Sequence, residues 1–341
     1  MIVQKQFEKF NDKIRLDYST NSELAKKRDI LLGKLRSNEE MPSFKEFNQG
    51  SYAMSLGVEP QNGREYDIDV GLRFNKNKDD YTPMELKKKI DKILENHTEY
   101  GSEIKKPCVT VTYKKDGEAA YHVDLVVYTY ENSDDKESQL YIAKGIDSDK
   151  NSQKWEKADP VGLVDYINDK INKGNERDQF RRVMRYLKRW KHLKFSKNGH
   201  VEPPSIGITL IVLENFYYCE NDDFLALKKV VEVIGDKFTI HDYDDDGDPL
   251  YRIKLSLPCE LSFDVNTDIF EKMTDRQMTD FKDKVDALVK NLNDVENETD
   301  EYEKCKKLNK IFGDDFEVPE EKNTAKKQYN YIPKSSASGL E

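Results

Sequence analysis

The stretch Asp67-Ile68-Asp69-Val70-Gly71-Leu72-Arg73-Phe74 decides the fold class. Its apolar residues Ile68, Val70, Leu72 and Phe74 fall at every second position, the period of a strand with one buried face. Asp67 and Asp69 then project together from the opposite face. A second strand pattern, Tyr121-His122-Val123-Asp124-Leu125-Val126-Val127, sets one carboxylate in a largely apolar run. Residues 109–113 are β-branched and aromatic, and Asp116-Gly117 is a turn signal, so 109–113 and 121–130 read as a hairpin.

Helical patterns flank these strands. Residues 82–96 carry a Thr82 cap, Pro83 in the first turn and Met84, Leu86, Ile90 and Ile93 at helical spacing. Residues 17–36 predict a long N-terminal helix, with Ser19, Thr20 or Asn21 as candidate caps and Leu24, Ile30, Leu31 and Leu35 along it. Residues 44–58 are rich in Gly, Ser and aromatics. Beyond Asp159-Pro160 the periodicity turns helical over 161–173, 176–195, 203–219, 222–234, 274–296 and 299–312. The expected architecture is α+β in two lobes: a mixed-sheet core over 1–160 led by the N-terminal helix, a mainly helical lobe over 161–321, and a tail over 322–341 with little apolar material.

The whole chain of 341 residues carries a formal net charge of −10, which argues against a protein that coats nucleic acid or is gated by DNA. No apolar run approaches the roughly 20 residues of a membrane span, and the start MIVQKQFEKFNDK has no signal-peptide stretch, so a cytoplasmic location is expected. Cys108, Cys219, Cys259 and Cys305 are far apart with no C-x-x-C pair, and read as core thiols rather than zinc ligands or disulfides.

Paired carboxylates on one strand face can share a metal, and magnesium favours hard oxygen ligands together with substrate phosphate. By itself a D-x-D pair also fits a solvated strand edge. Gly50-Ser51 offers backbone N–H groups that can approach an anion and a hydroxyl to bond it, or simply makes a turn. Asp124 would be costly to bury alone, and needs either a metal shared with Asp67 and Asp69 or a Lys or Arg partner. From Arg177 to Lys197 there are nine Lys or Arg against one acid, Asp178, with Arg181, Arg185 and Lys188 along one helix face. Such a stripe can hold a triphosphate tail or lie solvated. Ser205 opens a further helix, as an ordinary cap or as a phosphate contact.

The order Gly-Ser, D-x-D, then a third Asp on a later strand resembles the polymerase-β-like nucleotidyltransferase superfamily; neither a G-x-G-x-x-G nor a Walker spacing occurs. The helix with Leu187-Lys188-Arg189-Trp190-Lys191 and the stretch 308–319, LNKIFGDDFEVP, are similar to those of bacterial CD-NTases, relatives of cyclic GMP-AMP synthase and oligoadenylate synthetase. That resemblance, spanning residues 10–320, implies a polymerase-β-like core and an oligoadenylate-synthetase-like helical lobe with the active site in the cleft between them. It implies that Gly50 and Ser51 hold the donor triphosphate, that Asp67, Asp69 and Asp124 are catalytic and bind Mg²⁺ or alternatively Mn²⁺, and that Arg185, Lys188 and Ser205 steady the phosphates. Arg185 departs from the Lys of some relatives.

The implied function is a cyclic di- or oligonucleotide synthase joining NTPs, ATP and GTP foremost with pyrimidines open, for antiphage (CBASS) signalling through a separate effector protein. The implied C-terminal tail is a handle for a conjugating or regulatory partner. The rival enzyme is a single-transfer nucleotidyltransferase acting on a drug, protein or RNA; a non-catalytic sensor conflicts with the retention of all three carboxylates. Two other acidic stretches read as structure. Asp242-Tyr243-Asp244-Asp245-Asp246-Gly247 begins like a calcium loop but has Ile253 at the twelfth position, and Phe263 to Asp268 reads as a turn.

Overall fold

The computed structural model describes residues 2–16, 22–61, 66–115, 118–196, 201–259, 261, 263 and 268–320, without the side chains of 114, 115 and 118–120. Two helices come first, α1 (Ile2–Ile14) and α2 (Glu23–Arg36). The long N-terminal helix expected over 17–36 is thus shorter: Ser22 caps α2, its hydroxyl accepting from the Ala25 N–H, and Ser19, Thr20 and Asn21 lie outside the described residues. Helix α1 was not expected, although Phe7, Phe10 and Ile14, all fully buried, fall at helical spacing.

The mixed sheet grows from β1 (Phe44–Asn48), β2 (Tyr66–Asn77), β3 (Ser102–Ile104), β4 (Val109–Lys115) and β5 (Glu118–Tyr130), in the order β1-β2-β5-β4-β3. Strands β2 and β5 run parallel, pairing Ile68 with Val123 and Val70 with Leu125. These four side chains are fully buried, and with Leu72, Phe74, Val109 and Val111 they pack on Leu31 and Leu35 of α2. The same core takes Leu86, Ile90 and Leu94 of α4 (Pro83–Leu94), which starts in a Thr82/Glu85 capping box. Between β1 and β2 lies the short α3 (Gly50–Ala53). The hairpin β4–β5 forms as expected, although Asp116-Gly117 lies outside the described residues.

Two further strands, β6 (Leu140–Ile146) and β7 (Asp149–Ala158), extend the sheet from the far end of β5. They were not predicted: β7 reads DKNSQKWEKA and is half-buried at best until Ala158, so it lacks an apolar period.

The second lobe comprises α5 (Pro160–Asp169), α6 (Asn175–Lys194), α7 (Ser205–Asn215), α8 (Asp223–Asp236), α9 (Asp275–Glu296) and α10 (Glu301–Phe312), close to the six helical stretches read from the sequence. Its core includes Phe7 and Phe10, whose rings sit 5.1 Å from Tyr186 and 5.1 Å from Phe312 respectively, so α1 packs with this lobe although it precedes the sheet. Met54, Leu56 and Val58 join the same cluster and fasten the lobes together. At its centre the fully buried Asp223 accepts hydrogen bonds from Arg182 Nε (2.7 Å), Gln179 (3.0 Å) and Tyr186 (2.9 Å). Asp242 to Gly247 forms the exposed tip of the hairpin β8 (Thr239–Tyr243) with β9 (Pro249–Arg252), as an acidic surface loop; Asp264 to Thr267 lie outside the described residues. Three cysteines are buried as expected, but Cys259 is exposed. No helix among the described residues is long and apolar enough to cross a membrane.

Candidate active site

The parallel register that buries Ile68 and Val123 sets Asp67 beside His122 and Asp69 beside Asp124. Because side chains alternate across a sheet, these four polar groups share the face opposite the core. Thr110, the β4 partner of Asp124, donates its hydroxyl to Asp124 Oδ1 at 2.6 Å. One ligand atom from each of Asp67, His122 and Asp124 lies within 4.8 Å of the others, and His122 Nε2 is 3.9 Å from Asp124 Oδ2.

Asp69 is only half-buried, yet burial, then the charges of Asp67 and Asp124, push its carboxyl up to about 7 against the opposing pull of Lys188. The Lys188 ammonium is in turn brought down to about 7, by burial first and then by Lys191, while Asp67 and Asp69 hold it up. A carboxylate that titrates near neutrality for want of counter-charge, among two more carboxylates, suits a divalent cation.

The turn facing this cluster depends on Gly50. Its φ of +59° is left-handed, and a Cβ at this position would lie 2.1 Å from Asp69 Oδ2. The preceding Gln49 donates its backbone N–H to the Asp69 carbonyl at 3.2 Å, while its side-chain oxygen accepts from Tyr128 at 2.9 Å. Ser51 is thereby presented next to the carboxylates.

Two recesses meet at Ser51, Lys188 and Ser205. One, of about 340 Å³, carries Asp67, Asp69, Lys191 and His192; the other, of about 440 Å³, is walled by Met54, Leu56, Ile142, Leu163, Val164 and Ile206. Ser205 is the first residue of α7, after Pro204 with no side-chain cap, and its hydroxyl accepts from Lys191 Nζ at 2.7 Å.

Of the residues singled out by sequence, Gly50, Ser51, Asp67, Asp69, Asp124, Lys188 and Ser205 converge on this cleft. Arg185 does not. Its Nε donates to Asn11 Oδ1 (2.9 Å) and its NH1 to the Ser55 carbonyl (2.8 Å), and it lines a separate recess with Arg15, Arg181 and Arg182. The basic stripe is corrected accordingly: Arg185 is buried at the lobe junction, and Lys188 alone of the three reaches the carboxylates. His122, Thr110 and Lys191 were missed. The signal for His122 was present, since it stands two residues before Asp124 as Asp67 does before Asp69.

Residues 44–128 match the family of cyclic GMP-AMP synthase DncV-like nucleotidyltransferase domains. A cyclic GMP-AMP synthase of Escherichia albertii is 24% identical over 187 residues, a stretch that covers 52% of this chain but only 39% of that protein. Three solved structures share the fold. Vibrio cholerae DncV, a cyclic AMP-GMP synthase, superposes with a TM-score of 0.59 at 18% identity, covering 93% of this chain and 87% of its own. Bradyrhizobium diazoefficiens CdnG in complex with GTP gives 0.67 at 12% identity, covering 91% and 95%. CdnC of E. coli MS115-1 with ATP gives 0.64 at 15% identity, covering 92% and 98%. Residues 44–128 thus form a DncV-like nucleotidyltransferase domain, within a chain that has the fold of the bacterial CD-NTases.

Proposed function

We propose that the chain is a cyclic di- or oligonucleotide synthase that joins NTPs by Mg²⁺-dependent nucleotidyl transfer. The observation that carries this reading is the convergence of Asp67, Asp69 and Asp124 with the Gly50–Ser51 turn, Lys188 and Ser205 where a polar recess opens into an apolar one. With a cation held among its carboxylates, the polar recess that carries Lys188 and Lys191 suits a triphosphate, and the apolar one has the walls for a nucleoside.

Asp67, Asp69 and Asp124 would hold the ion. When bound, a divalent cation there neutralises phosphate charge and eases ionisation of an attacking hydroxyl. The Gly50 and Ser51 backbone N–H groups, the Ser51 hydroxyl and the N-terminus of α7 at Ser205 bind and orient phosphate oxygens. Lys188 supplies a positive charge beside them. Asp124, steadied through Oδ1 by Thr110, orients the attacking ribose hydroxyl, whose proton passes to water. The hydroxyl oxygen bonds the α-phosphorus, the bond from that phosphorus to the bridging oxygen breaks, and pyrophosphate leaves. A second transfer on the linear product closes the ring.

ATP and GTP are the substrates we favour, because DncV has been captured with a linear pppA(3′,5′)pG intermediate and the CdnG and CdnC structures hold GTP and ATP. The CD-NTase resemblance read from the sequence leads us to propose cytoplasmic antiphage (CBASS) signalling, with the product acting on a separate effector. The partner proposed for residues 322–341 lies outside the described residues.

The test incubates the purified protein with four NTPs and Mg²⁺ or Mn²⁺, then phosphatase, and identifies resistant nucleotides by mass spectrometry. A cyclic product that vanishes with Asp67→Ala/Asp69→Ala is expected. Product only when a drug, protein or RNA acceptor is supplied would replace this reading with single transfer.

A further inference from the structure

We propose that His122 is itself a ligand of the cation in this cleft, so that the site is a mixed nitrogen and oxygen site that favours Mn²⁺ over Mg²⁺. The inference rests on the reading above that the cleft holds a divalent ion, and adds to it a residue outside the three carboxylates.

Strand register is the first argument. His122 lies directly across from Asp67 and two residues from Asp124, on the sheet face that carries Asp67, Asp69 and Asp124. Distance is the second. Asp67, His122 and Asp124 each offer an atom within 4.8 Å of the others, and the His122 Nε2 to Asp124 Oδ2 separation of 3.9 Å lies within what one ion spans. Two ligands about 2.1 Å from one ion stand roughly 3 to 4 Å apart. The third argument is the division of labour at Asp124: Thr110 holds Oδ1, which leaves Oδ2, the oxygen on the His122 side, for the ion. Asp69, the remaining carboxylate of the site, lies next to this trio against Gly50.

The chemistry then sets the preference. Mg²⁺ is hard and takes oxygen ligands, whereas Mn²⁺, which shares its affinity for carboxylate, stands at the start of the first-row transition series and accepts an imidazole nitrogen more readily. A His122 that only braced Asp124 would leave that preference untouched.

The experiment uses the full chain and Mn²⁺ alone. Mn²⁺ is titrated against wild type, His122→Gln and Asp67→Asn by electron paramagnetic resonance, with Mg²⁺ as competitor, and pulsed spectra are recorded for nitrogen coupling. In wild type we expect coupling to one imidazole nitrogen, whose frequencies change when the protein is grown with ¹⁵N-histidine. This readout needs no variant and stands even if His122→Gln misfolds. In His122→Gln the coupling disappears and Mn²⁺ binding weakens on the order of 10- to 100-fold, with Mg²⁺ binding changed by less than about threefold. Mn²⁺ bound without nitrogen coupling, with Asp67→Asn alone losing the ion, overturns the role of His122 and leaves the cation site standing. Mn²⁺ binding that neither variant alters overturns both.

Discussion

Asp69 and Asp124 are register partners on parallel strands, held one strand spacing apart with buried valines and leucines behind them. Burial first, then the charges of Asp67 and Asp124, raise the Asp69 carboxyl from 3.8 to about 7. A group that binds its proton more tightly in the folded chain favours folding at low pH. Metal-free stability should therefore fall as the pH climbs from about 4 towards 7. In Asp69→Asn that decline should largely vanish, the melting temperature in chelator at pH 7 should equal or exceed wild type, and nucleotide product should drop more than about 10³-fold. Thermal melts across pH and a product assay check this; an active Asp69→Asn would remove Asp69 from the site.

Gly50→Ala should fail for steric reasons at two levels. The left-handed backbone costs a Cβ residue roughly 1–2 kcal/mol, and the new methyl would displace the Asp69 carboxylate that now lies 2.1 Å from its position. Denaturant unfolding should report the first effect. Activity should fall far more than stability, and an alanine variant with wild-type turnover would show that the turn does not need this close approach.

Arg185 should act through the loop after α3. It bonds Asn11 and the carbonyl of Ser55, a non-glycine residue at φ +59°. Arg185→Lys cannot keep both bonds in one plane. We expect a loss of about 1–3 kcal/mol of stability and a raised KM for NTP, with kcat less affected. A change confined to kcat would mean that Arg185 contacts the reacting phosphates after all.

Asp223 should make the second lobe acid-sensitive. Burial raises its carboxyl, but the bonds and charge of Arg182, with help from Gln179 and Tyr186, more than offset this and leave it below 3.8. Its stabilisation is therefore present above that value and lost as the pH falls through the lowered one, the reverse of Asp69. Asp223→Asn, which leaves Arg182 without its counter-charge, should cost about 3–5 kcal/mol and remove this acid dependence, as urea unfolding at pH 3 and pH 7 would show.

The sequence by itself determined what depends on local period. Alternation in 67–74 assigned the faces of Ile68 and Asp69, whereas the largely apolar run 121–127 left the face of Asp124 to the parallel register. Helical spacing located the six main helices of the second lobe, of which α5, α8, α9 and α10 also start at side-chain caps. Strand β7 was not legible, because its place comes from what it pairs with rather than from its own pattern, whereas α1 carries a helical period in Phe7, Phe10 and Ile14 that went unread. The choice between Arg185 and Lys188 was beyond any pattern. They lie three residues apart on one helix face, with the same charge and nearly the same reach. Only the tertiary structure brings the Ser55 carbonyl, 130 residues away in the chain, against Arg185 and leaves Lys188 facing the carboxylates. A side chain's partner across a lobe junction is set by packing between distant segments, which local periodicity does not encode.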